Sequence, residues 1–223
     1  AGAVLFALAA LLVDRAYERV LERPARTLGW ERRQWLMALG VMGACWLPWL
    51  GANFPGGAYW DTYYQIWQTF PGSHPIALIP FGDHADATRI DAYFCDHHPL
   101  LDTLIYGGFA QASQALTGKW QLGVFAFVLV QGAATAAALT GACAYLARIG
   151  APRGAVLAAF GFFCVAPFVS TWALTMVKDS LFSLVYVPYF IMLCEVVRTR
   201  GAVLGRARMV AAFMALGVLL CLT

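Results

Sequence analysis

Charge is scarce in this chain. Of its 223 residues only 12% are Asp, Glu, Lys or Arg, while 61% are hydrophobic, and the mean hydropathy is +0.67. A water-soluble domain usually carries about twice that charged fraction, so an ordinary soluble globular protein is excluded. Regular alternation of apolar and polar residues is also missing, which excludes an outer-membrane β-barrel. Paired cysteines are lacking as well. Five of the six cysteines (Cys45, Cys143, Cys164, Cys194 and Cys221) lie inside apolar runs, where cysteine behaves as a small hydrophobe. Cys95 stands in a polar stretch without a neighbour to bridge to, and no CxxC or zinc-finger spacing occurs. What is present instead is long apolar sequence. Residues 122–146 and 156–176 are each long enough to cross a bilayer core, which takes roughly 20 residues. The expected fold is all-α: a polytopic transmembrane helical bundle.

The segments follow from the hydropathy. Residues 1–13 read as a partial transmembrane helix and 14–33 as a basic loop. A span over 34–53 follows, with Trp46 and Trp49 near its far end, where indoles favour the membrane interface. A long polar loop fills 54–120. Further spans are expected over 121–147, 154–173 (kinked at Pro167) and 181–197, and another starts at 209–223. The chain begins Ala-Gly-Ala and stops within an apolar run, so it is expected to be a piece of a larger membrane protein. Arginines gather in 15–33, 148–153 and 198–208, which alternate correctly to share one side of a membrane. The other side holds only Arg89, Lys119 and Lys178. The positive-inside rule then puts the arginine side in the cytoplasm and the 54–120 loop on the outer face. Topology and membrane lipids account for the arginines, and no nucleic-acid partner is expected.

The titratable groups are concentrated in the outer loop. All four histidines (His74, His84, His97 and His98) and six of the eight aspartates (Asp61, Asp83, Asp86, Asp91, Asp96 and Asp102) fall between 61 and 102. Such gathering in a membrane protein points to chemistry in that loop. Tyr63, Ile66, Trp67 and Phe70 form one apolar stripe at helical spacing, and Asp61, Gln65 and Gln68 the opposite face. An interfacial helix over 61–70 is expected, its rings in lipid and its carboxylate–amide row toward water or protein. Asp61 follows the turn Pro55-Gly56-Gly57 and suits both a helix cap and a functional carboxylate.

A second interfacial helix is expected over 99–117, with Pro99 at its first position and Leu101, Leu104, Ile105 and Gly108 on one face. Asp96, His97 and His98 precede it, where the helix dipole favours an anion. Imidazoles there can bind an anion when protonated, relay protons or ligate a metal. His84 and Asp86 are candidate ligands for a divalent metal, at a spacing that matches no standard site. Lys178 and Asp179 interrupt apolar sequence on the same outer side. They read either as an ordinary interfacial turn with a snorkelling lysine, or as a phosphate-binding lysine oriented by its neighbour.

Taken together and in order, Tyr59-Trp60-Asp61-Thr62-Tyr63-Tyr64-Gln65, His97-His98-Pro99-Leu100 and Lys178-Asp179 resemble the GT-C class of membrane glycosyltransferases. The stretch also resembles a group of large, uncharacterised bacterial membrane proteins, mostly actinobacterial. The resemblance spans about residues 36–197. It implies an integral protein of the bacterial plasma membrane that transfers a sugar from a polyprenyl-phosphate carrier to an acceptor on the outer face. It implies Asp61 as general base, with Gln65, His97 and His98 in the catalytic set. Asp96, Lys178 and Asp179 would bind substrate, the cations and helix starts taking up the charge of the leaving phosphate. The chain departs from the class at Thr62, where a second acidic residue often follows the first, and in the length of the loop between Phe70 and Asp96.

Two other functions stay open. A membrane transporter is one, although the spans carry almost none of the midplane polar residues that transport pathways use. A structural or assembly protein with a non-catalytic loop is the other.

Overall fold

The structure is a computed structural model that describes residues 29–70 and 98–223. Among the described residues the chain is a bundle of α-helices with a single two-residue strand pair. Helix α1 is Arg32–Ala52, and a short strand β1, Gly57–Ala58, leads into α2, Trp60–Gln68. Helix α3 is Leu100–Thr117, α4 is Gln121–Arg148, α5 is Arg153–Val165 and α6 is Pro167–Ala173. Strand β2, Thr175–Met176, precedes α7, Lys178–Arg198, and the last helix, α8, is Ala207–Leu222.

Three of these helices, α1, α4 and α7, are long and apolar enough to cross a membrane. The expected span over 154–173 falls on a bent pair, α5 and α6, which meet at 63° and together are long and apolar enough for a broken span or a re-entrant loop. The cause is local. Ala166 precedes Pro167 and is held out of the α region (φ −69°, ψ 115°), while Pro167 opens α6 as its first residue. Pro188 in α7, by contrast, lies inside one continuous helix.

Helix α4 is the central post, packed against α1, α3, α5, α6 and α7. Its packing depends on residues without bulk. A Cβ on Gly123 would run into the backbone carbonyl of Phe109 in α3, and one on Gly132 would come within 2.8 Å of Leu174. The core around the post contains Met42, Trp46, Ile66, Tyr106, Phe127, Val128 and Met176. Two expectations are corrected here. Trp46 is not an interfacial indole: it is buried, and its Nε1 donates to the Phe163 carbonyl at 3.0 Å. Ile66, expected on a lipid-facing stripe, is fully buried in the core, while Tyr63 on the same stripe is exposed.

The strand pair joins distant parts of the chain. β1 and β2 run parallel, with Gly57 opposite Thr175 and Ala58 opposite Met176. Gly57 leaves room for this approach, since a Cβ there would collide with the Thr175 hydroxyl. From inside the bundle, the buried Gln131 of α4 donates through Nε2 to the carbonyls of Ala173 and Thr175, at 2.9 and 2.8 Å. The end of the first span and the turn before α7 are thereby tied to one end of the bundle. At the opposite end Glu195 accepts from Arg198 at 2.7–2.8 Å and lies 3.3 Å from Arg148.

Candidate functional site

Three helix starts meet at the tied end of the bundle. Helix α2 is positioned by Thr62, whose hydroxyl donates to the Met176 carbonyl, so its first turn is anchored to β2 just ahead of Lys178. Gln65 is buried one turn on, and its Nε2 donates to Thr103 Oγ1 of α3 at 3.2 Å. At the far end of α2 the Thr69 carbonyl accepts from Gln111 of α3, and a Cβ on Gly107 would overlap the Thr69 side chain. Helices α2 and α3 thus form a closely docked pair.

Asp61 is the second residue of α2, and the cap position is held by Tyr59. Asp61 therefore is not the helix cap. Its side chain is 62% exposed, and its Oδ1 lies 3.9 Å from Nε2 of His98, an imidazole that is almost wholly buried. The Tyr64 ring meets the His98 ring edge-on at 6.4 Å. Protonated, His98 would form an ion pair with Asp61; the 3.9 Å separation is longer than a direct hydrogen bond.

Helix α3 presents its polar side inward. Pro99 is the cap rather than the first helical residue, so the helix begins at Leu100. Asp102, Thr103 and Tyr106 are buried, whereas on the anticipated apolar face Leu104 and Gly108 are exposed and Leu101 and Ile105 half-buried. This is the arrangement a membrane environment favours, with apolar side chains outward and polar ones in the protein. Asp102 is fully buried, and neither carboxylate oxygen has a hydrogen-bond partner among the described residues. Burial pushes its carboxyl up to about 7, and the positive charge of Lys178 pulls partly the other way. The Tyr106 hydroxyl, also buried and unpartnered among the described residues, is pushed up by burial and then by the charges of Asp102 and Asp179.

Lys178 and Asp179 begin α7. Among the described residues they form no ion pair with each other: the field of Lys178 reaches Asp102, and that of Asp179 reaches Tyr106. Of the residues singled out in the sequence, Asp61 and His98 are neighbours, Gln65 bonds α3, and Lys178 and Asp179 follow the strand to which Thr62 of α2 is bonded. Gln65 is committed to holding α2 on α3. His84, Asp86, Asp96 and His97 lie outside the described residues, and with them the two candidate metal ligands. Among the described residues no group of three His, Cys, Asp or Glu side chains is placed to hold a metal ion.

Asp102 and Tyr106 enter the site from the structure. A sequence signal for them existed in the spacing of His98, Asp102 and Tyr106, four residues apart. The apolar stripe of the same helix, read as the buried side, masked it.

Residues 87–223, more than half of the chain, match a family of unknown function (DUF6020), and the chain belongs to that family. The match includes α3, α4 and α7 with Asp102, Tyr106, Lys178 and Asp179, and begins after Asp61 and Gln65. No curated protein and no solved structure matches the chain.

Proposed function

We propose that this protein is a GT-C-like membrane glycosyltransferase, moving a sugar from a polyprenyl-phosphate carrier to an acceptor hydroxyl at the outer face of a bacterial plasma membrane. The observation that carries the reading is an exposed carboxylate, Asp61, 3.9 Å from the buried imidazole of His98. The next residue, Thr62, bonds the Met176 carbonyl two positions before Lys178, which is the candidate cation of the site. The transfer requires a base for the acceptor and positive charge for the leaving phosphate. The acceptor oxygen attacks the anomeric carbon, its proton passes to Asp61, and the bond from that carbon to the phosphate oxygen breaks. Lys178 and the first turn of α7 stabilise the negative charge that remains on the lipid phosphate. A single displacement inverts the anomeric centre and needs no second nucleophilic carboxylate.

The exposure of Asp61 suits a group that must meet an acceptor from solution. Burial of His98 suits a group that holds the carboxylate in place. Asp96 and His97 belong to the same proposed set by sequence position alone.

The test uses the purified protein in lipid nanodiscs, incubated with radiolabelled polyprenyl-phosphate sugars. Wild type should release or transfer label, and Asp61→Asn should do so at least ~100-fold more slowly, the usual contribution of a general base. Equal rates in the two proteins would sink the assignment of Asp61. A chelator added in parallel reports on a metal at His84 and Asp86.

A further inference from the structure

Asp102 is a buried carboxylate that the proposed transfer leaves unused. It is inaccessible to solvent, and its two oxygens find no donor among the described residues. One turn later, the Tyr106 hydroxyl is buried in the same way. A dry carboxylate without donors is ordinarily neutralised or paired. The cation whose field reaches it is Lys178, half-buried at the first position of α7 and, among the described residues, in no ion pair. Beside that lysine stands Asp179, which is exposed.

We propose that Lys178 and Asp102 form a proton-coupled seat for a phosphodiester: the ammonium is shared between the buried carboxylate and the bound anion, so each phosphodiester that binds brings one proton onto Asp102. The choice of anion rests on the glycosyl-transfer reading, in which the sugar carrier is a lipid phosphodiester. The coupling itself rests on the buried, donor-free carboxylate.

The direction follows from electrostatics. With the seat empty, burial and Lys178 oppose each other and leave the carboxyl titrating near neutrality, at about 7. An arriving anion cancels the field of Lys178 and adds negative charge of its own. Both effects favour the protonated carboxyl. The proton comes from solvent, and no other bond changes.

Among the described residues the other titratable groups facing this corner are few. From α3 and the segment just before it come Tyr106 and His98, the latter 3.9 Å from Asp61 of α2 and edge-on to Tyr64 of the same helix. From α7 come Lys178 and Asp179. Helix α4 carries no titratable side chain before Cys143, and α8 has only the exposed Cys221 at that end. By linkage, affinity for the anion should fall as pH rises above 7, by up to tenfold per pH unit.

The experiment is calorimetric titration of the full chain in dodecyl maltoside micelles, which contain no phosphodiester, with dioctyl phosphate, and separately with dimethyl phosphate. Both are phosphodiesters that do not titrate near neutral pH, and only the first has lipid-like chains. Measurements in buffers of different ionisation enthalpy between pH 6.5 and 8.5 count the protons exchanged. The expected result is uptake approaching one proton, affinity that drops several-fold per pH unit above 7, and a protonated-carboxyl infrared band that grows on binding. Asp102→Asn should bind with affinity independent of pH, and Lys178→Met should lose binding. Circular dichroism checks that each variant is folded, and the infrared band in wild type tests the idea even if Asp102→Asn fails to fold. Binding of dioctyl phosphate alone assigns the seat to a lipid, and equal binding of dimethyl phosphate assigns it to the headgroup without its chain. A flat pH response, a pH slope that survives in Asp102→Asn, or no binding of either probe would overturn the proposal. Because the readout is binding, a failure of sugar transfer leaves the coupled seat standing, and a flat pH response leaves the role of Asp61 standing.

Discussion

At the scale of single residues, Asp102 is the most consequential side chain in the structure. Its folded carboxyl titrates at about 7 against 3.8 for the free side chain. The native state therefore holds its proton more tightly than the unfolded state between those values. Stability is highest at the acid end of that window and falls as pH rises from about 4 to about 7, by a few kcal/mol at most. Asp102→Asn removes the buried charge. It should raise the unfolding temperature at pH 8 and flatten its pH dependence, as followed by thermal scans in detergent at pH 5, 6.5 and 8. A wild type whose stability rises between pH 5 and 8 would contradict the burial of this group. A residue that weakens its own protein at neutral pH belongs with the strained features that functional sites retain. Asp61 was legible in the sequence because a turn and an aromatic helix frame it. Asp102 was counted among the loop's acids but not distinguished, because exposure cannot be read from residue type.

At the scale of elements, the anchoring of β2 decides whether a site exists. Gln131 lies in the middle of the long apolar α4, where a buried amide has a cost unless it is bonded, and both donors of its Nε2 are used on the turn before α7. Gln131→Leu leaves the Ala173 and Thr175 carbonyls without those donors. It should destabilise the protein by about 2–3 kcal/mol and lower any transfer activity by loosening Lys178, measured as unfolding temperature and rate on the same preparations. An unchanged unfolding temperature would mean that the turn is held by other contacts. The small-residue content of α4 promised close packing, and Gly123 and Gly132 deliver it. Helix limits were legible for a simple reason: apolar runs have ends, and Pro167 and Pro99 mark breaks that the backbone must make. Which face of a helix turns inward was not. In the first turns of α3, polar Asp102 and Thr103 face inward and Leu100 and Leu104 outward, whereas Ile105 and Phe109 still pack on the core.

At the scale of the whole molecule, the two ends of the bundle differ in charge. Arg148, Arg153, Arg198, Arg206 and Arg208 belong to the end that also holds Glu195, while Asp61, Asp102, Lys178 and Asp179 belong to the other. The positive-inside rule assigns the first to the cytoplasm. A cysteine at Leu116, 85% exposed in the last turn of α3, should react with a membrane-impermeant maleimide in intact cells. A cysteine at Arg206 should react only after permeabilisation, both tested with Cys95 and the exposed Cys221 replaced by alanine. The reverse labelling pattern would invert the topology and remove the site from the outer face.

Composition and order of residues were enough to determine the helical character and the presence of helices long and apolar enough to cross a membrane. These depend on transfer of side chains between water and hydrocarbon, and that property is local and additive along the chain. Only the tertiary structure decided that Trp46 and Ile66 are core residues and that Gln65 bonds to Thr103. It alone paired Gly57 with Thr175 and set Asp102 near Lys178. Those outcomes depend on contacts between residues up to 118 positions apart. Such contacts exist because a glycine, a hydroxyl or an amide allows two backbones to approach at one particular place, and no property of a single segment encodes its partner.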